Sequence, residues 1–198
     1  SYLRVKLDPE LIAALAPNKG KIFTKSSSPL AVQELLNLFA SNENDSSSHF
    51  SEATHLVRDS AGLLLKLVKL LPEPLVPFKC YNTFIELITQ PPWSDALILS
   101  LNPSYTQSEE DRMHCDKILI HVETALGHLP FPNCPTLLYL LDVLAESAEN
   151  EAKIDELVDM FQPGLLSLPP GRMAAQDYRL AHQVLVFMLR NWDSLWWW

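Results

Sequence analysis

The stretch from Leu63 to Tyr81 reads LLLKLVKLLPEPLVPFKCY. A leucine-rich amphipathic segment stops at Pro72-Glu73-Pro74, and a second apolar segment restarts at once with Leu75-Val76-Pro77-Phe78. Proline removes a main-chain donor and disfavours helix in the residue before it, so Leu71 is the expected last helical residue. The spacing predicts a long helix over 50–71, with Ala53, Leu56, Val57, Leu64, Leu67, Val68 and Leu71 as its buried stripe. Pro77-Phe78 then sets the entry of a further helix over 78–89.

Upstream, Ser26-Ser27-Ser28 offers an N-cap and Pro29 a helix start, with Val32, Leu35, Leu36 and Phe39 following at spacings of three and four. A helix over 29–40 is predicted. DPELIAALA at 8–16 reads as a short helix, and Pro17-Asn18-Lys19-Gly20 as a turn. Residues 41–48 and 101–106 are polar loops. Downstream, 107–128 should turn Cys115, Ile118, Val122 and Ala125 inward, and 135–147 should bury Leu137, Leu138, Leu141 and Leu144. Residues 151–161 carry Ile154, Leu157, Val158 and Phe161, and 173–192 align Ala174, Tyr178, Ala181, Leu185, Met188 and Trp192. No strand pattern competes. The expected fold is all-α, with seven or eight helices in a single domain over 1–198, its core spanning 3–192.

Composition narrows the function classes. Apolar residues make up 47% of the 198 and charged residues 20%, ordinary for a globular protein, and only five glycines argue against a turn-rich sandwich. A net charge of −9 speaks against nucleic-acid or anionic-membrane binding, both of which need clustered Lys and Arg. The first 25 residues run the other way, with Arg4, Lys6, Lys19, Lys21 and Lys25 against Asp8 and Glu10. The cysteines Cys80, Cys115 and Cys134 form no C-x-x-C pair, which favours reduced thiols in a cytoplasmic protein over a zinc site. No apolar run reaches the ~18 residues of a membrane span, and no signal-peptide pattern opens the chain. A monomer without cofactor or metal is expected.

Four landmarks, in order, resemble the RhoGAP fold, the helical domain that stimulates GTP hydrolysis by Rho-type GTPases. Gly20-Lys21-Ile22-Phe23-Thr24-Lys25-Ser26 is similar to the family's loop G-I-F-R-x-S-G. The leucine helix with Leu71-Pro72-Glu73-Pro74-Leu75 is similar to L-L-K-x-x-x-R-x-L-P-E-P-L. Leu129-Pro130 with Asn133, Thr136 and Leu137 is similar to L-P-x-x-N-x-x-T-L. Leu157 with Phe161, Pro163 and Leu165-Leu166 is similar to N-L-A-x-x-F-x-P-x-L-L.

The departures carry their own implication. The resemblance places the family's arginine finger at Thr24, the helix Lys at Leu65, the helix Arg at Lys69 and the Asn of the fourth motif at Glu156. A finger neutralises charge on the phosphoryl group in flight and is worth ~10³–10⁵ in rate. Thr24 is uncharged, and Lys69 keeps the charge without the bidentate fork. With Thr24, Leu65 and Glu156 changed together, the resemblance implies a GTPase-binding adaptor that is not itself a catalyst. An active GTPase activator using another residue is the further alternative.

A narrower resemblance runs to the C-terminal RhoGAP-like domains of OCRL-type inositol polyphosphate 5-phosphatases. Asp59-Ser60-Ala61-Gly62-Leu63-Leu64 and Leu71-Pro72-Glu73-Pro74 are similar to that version. It implies a peptide-docking module of a larger enzyme in endocytic membrane traffic, peripheral at a membrane through the parent chain. The partner is then an adaptor peptide in place of a Rho- or Rac-type GTPase.

GTPase-facing candidates are Lys21, Thr24, Lys25, Lys66, Lys69 and Asn133. Lys21 and Lys25 read equally as a solvated basic loop, and Lys66 and Lys69 as lysines snorkelling from a leucine helix. His114, His121 and His128 recur every seven residues, about 10 Å apart along a helix and too far for one metal ion. No Gly-rich phosphate loop is present, so the chain should bind no nucleotide alone. The tail from Trp192 to Trp198 could dock on the domain, meet a partner or lie in a membrane interface; it could equally mark a boundary.

Overall fold

A computed structural model describes residues 23, 28–41, 53–89, 109–148 and 150–195. The expected helix at 8–16, the loops over 42–48 and 101–106 and the last three tryptophans lie outside the described residues, while Ser41, expected in the first loop, lies in a helix. Among the described residues there is no strand. Eight α-helices appear: α1 Pro29–Ser41, α2 Ala53–Lys69, α3 Tyr81–Thr89, α4 Glu109–Gly127, α5 Asn133–Ser147, α6 Glu151–Leu165, α7 Ala175–Arg190 and α8 Trp192–Leu195. A 3-10 turn, Phe78–Cys80, leads into α3. Packing divides the chain into two compact units, Ser1–Leu67 and Val68–Trp198.

In the first unit, Ser28 starts α1 as its sequence promised. Its Oγ accepts from the Ala31 N–H at 3.4 Å, and its own N–H donates to Asp59 Oδ1 on α2 at 3.2 Å. The stripe expected on α2 holds at Val68 and needs correction at Leu64, Leu67 and Leu71; the side chains of Ala53, Leu56 and Val57 lie outside the described ones. Ala61, Leu63 and Val68 are buried, Leu64 and Leu65 are half-buried, and Leu67 is 37% exposed. Leu71, expected to end the helix buried, is 40% exposed beyond its end. A segment with leucine at nearly every position carries overlapping apolar stripes, and periodicity alone does not choose among them.

Among the described residues the second unit holds the larger core. Cys115, Ile118, Val122 and Ala125 of α4 are all buried, as are Ile154, Leu157, Val158 and Phe161 of α6. On α5 the core takes Leu137, Leu140, Leu141 and Leu144, while Leu138 is half-buried. α7 packs against α3, α5 and α6 and buries Ala181 and the whole run from Val184 to Leu189. Ala174 and Tyr178, expected inside, are exposed; Tyr178 instead reaches Asp159 on α6. Trp192 docks on the domain, buried, with its indole N–H donating to Asp142 at 2.9 Å.

α6 extends further than its sequence suggested, continuing through Pro163 to Leu165. Asn150 caps its start by accepting from the Lys153 N–H at 3.0 Å. A proline inside a helix removes one donor, yet its carbonyl and those after it stay available. Those of Gly164 and Leu165 accept from Leu75 and Val76, each at 2.9 Å, which satisfies helix-end acceptors that would otherwise need water.

Candidate functional site

The turn after α2 is defined by where its main-chain donors go. Pro72, Pro74 and Pro77 have none. Leu75 and Val76 donate to the end of α6, and the Phe78 N–H donates to Glu73 Oε1 at 2.8 Å. Glu73 therefore folds back over its own turn and caps the 3-10 helix, a role the sequence reading did not assign. A carboxylate five residues before a helix start, between two prolines, was the available signal.

The Leu75 carbonyl accepts from Asn133 Nδ2 at 2.9 Å. Asn133 is the first residue of α5, placed by a tight loop with a cis Phe131–Pro132 bond and by its own N–H donating to the Pro130 carbonyl at 2.7 Å. The second and third landmarks are thus joined by a side-chain-to-main-chain bond. The fourth joins them through Gly164 and Leu165. Around the turn, Pro74, Leu75, Val76 and Pro77 are buried, while Lys69 to Glu73 are exposed. Leu70 is 61% exposed and Phe131 77%.

Among the other candidates, Lys66 donates to Gln33 Oε1 of α1 at 2.7 Å within the first unit. Leu65 is half-buried. Glu156 is exposed and pairs at 2.8 Å with Lys153, an ammonium-bearing side chain only 7% exposed. Lys21, Thr24 and Lys25 lie outside the described residues. Among the described residues no group of three His, Cys, Asp or Glu could hold a metal ion, and no helix is long and apolar enough to cross a membrane.

Three ionisable groups are shifted by their surroundings. Tyr81 is pushed up to about 12, first by burial and then by the nearby Asp177 charge. Its hydroxyl donates to the Asp177 main-chain carbonyl at 3.1 Å. Burial also raises the Cys134 thiol, and the Tyr178 hydroxyl is raised first by burial and then by the Asp159 charge and hydrogen bond.

The sequence profile of the RhoGAP domain matches residues 10–170. Two curated relatives align with the chain. Rho-GTPase-activating protein 5 of Schizosaccharomyces pombe is 29% identical over 177 residues, 87% of this chain and 43% of that protein. Rho-GTPase-activating protein BAG7 of Saccharomyces cerevisiae is 30% identical over 137 residues, 67% of this chain and 29% of that protein. The chain thus spans less than half the length of either relative. Among solved structures, human Rho GTPase activating protein 15 superposes with a TM-score of 0.65 at 20% identity, covering 94% of this chain and 81% of that one. The BH domain of GRAF, the GTPase regulator associated with focal adhesion kinase, gives 0.62 at 19% identity, covering 94% and 90%. At such identities these structures show the shared fold.

The relatives overturn one expectation. Thr24, Leu65 and Glu156 in place of the family's polar groups imply no catalysis, yet both relatives are named as Rho-GTPase-activating proteins. Three side chains aligned by motif alone do not decide the activity of a whole domain. From the profile match, the joined landmarks and the shared helical fold, the chain belongs to the RhoGAP domain family.

Proposed function

We propose that the domain binds a Rho-type small GTPase and accelerates its hydrolysis of GTP. The family match over 10–170, with two relatives named as activators, carries this reading. Lys69 is exposed at the end of α2, beside Leu70 and Leu71, and forms part of the GTPase-facing surface. Lys21 and Lys25 flank Thr24 and are the ammonium groups able to meet charge on the transferring phosphoryl group. An ammonium lacks the planar fork of arginine, so the acceleration should fall below the ~10³–10⁵ of an arginine finger.

Transition-state complementarity supplies the test. An activator binds its GTPase more tightly when GDP and aluminium fluoride mimic the phosphoryl group in flight than when a GTP analogue is bound. Lys25→Glu should weaken binding to the mimic most, while Lys69→Glu should weaken both states and lower the salt dependence. Equal affinity for the two states across a panel of Rho-type GTPases would reject activation. Binding indifferent to both lysine changes would move the contact elsewhere.

A further inference from the structure

We propose that Asn133 is a positioning residue: its side-chain amide fixes the turn after α2 so that Lys69, Leu70 and Leu71 are held ready for the GTPase. This rests on the function proposed above. The backbone is pinned on both sides of the exposed segment 69–73. Before it, Gly164 lies against Val68, where a Cβ would come within 2.6 Å of the Val68 carbonyl oxygen. After it, Leu75 is held through both of its main-chain groups, its N–H by the Gly164 carbonyl and its carbonyl by Asn133 Nδ2. Leu75 is only 7% exposed, so its carbonyl has little access to water in place of the amide.

The exposed side chains have long rotors, and a backbone fixed at both ends lowers the ordering cost of docking them. The Asn133 amide points to the turn from the first residue of α5 and acts through Leu75. Its removal should loosen the turn in the free domain before any partner arrives. Asn133→Asp is the stringent change, because it sets a carboxylate oxygen against the Leu75 carbonyl with nearly unchanged shape. Asn133→Ala removes the donor without that repulsion and is used wherever the Asp variant fails to fold.

Hydrogen exchange on the free domain and GTP hydrolysis at rising domain concentration test this together. Exchange at the Leu75, Val76 and Phe78 amides should rise roughly tenfold, the scale of one lost hydrogen bond, with the α7 amides unchanged. The domain concentration giving half-maximal acceleration should rise by a similar factor, with the saturating rate nearly kept. Unchanged exchange at the three amides, with or without a change in hydrolysis, overturns the proposal. Faster exchange with an unshifted half-maximal concentration also overturns it, since the turn would then not govern docking. A native domain that accelerates no GTPase refutes the proposed function, and the exchange result still decides whether Asn133 holds the turn.

Discussion

Gly164 meets Val68 backbone to backbone: a Cβ on Gly164 would stand 2.6 Å from the Val68 carbonyl oxygen and 2.9 Å from its carbonyl carbon, and would overlap Cγ1. Replacing glycine by alanine inside a helix normally stabilises by up to ~1 kcal/mol. Here the added methyl collides with main chain, which cannot rotate away. Gly164→Ala should therefore cost ~1–3 kcal/mol in urea unfolding. A stabilised variant would show that α6 and the end of α2 separate easily.

The corrected face of α2 gives a paired prediction. Leu63 is 4% exposed and Leu67 is 37% exposed. Leu63→Ala should cost ~2–5 kcal/mol, as a fully buried leucine does. Leu67→Ala should cost less, because over a third of the residue stays in water and the space it leaves can fill with solvent. Equal costs, measured by chemical denaturation, would restore the stripe expected from periodicity.

Tyr81 predicts a pH dependence. Its folded pKa is raised to about 12 from the ordinary value of 10, so the unfolded chain loses this proton first. Stability from this group is fully present below pH 10 and is lost as pH rises from about 10 to about 12. The urea midpoint should fall over that window. Tyr81→Phe should flatten the fall and, by removing the bond to the Asp177 carbonyl, cost ~1 kcal/mol at neutral pH. An identical alkaline slope in both proteins would assign the effect to other groups.

The fold was legible where polar residues separate the apolar ones. On α4 and α6 polar side chains separate the apolar ones, and although Met113 and Ile120 stay exposed on α4, every inward residue expected of the two helices is buried. On α2 leucines crowd neighbouring faces, so the stripe expected from periodicity put Leu67 and Leu71 inside, where the structure exposes them. α6 was read too short because Pro163 is a local stop signal, while the groups that accept its extension, Leu75 and Val76, are distant in sequence. For the site, the motifs single out Asn133 as a GTPase-facing candidate, but no spacing says that its amide meets the Leu75 main-chain carbonyl. Gly164 and Glu73 were missed because close approach and a back-folded cap are tertiary facts.

Single-turnover GTP hydrolysis by Rho-type GTPases, with the domain in excess, tests the central claim most directly. The domain should raise the hydrolysis rate of at least one GTPase above its intrinsic value. Lys21→Ala or Lys25→Ala should remove most of that gain, because Thr24 has no charge to offer the phosphoryl group. Hydrolysis at the intrinsic rate across the whole panel, at domain concentrations that saturate binding, would contradict the account.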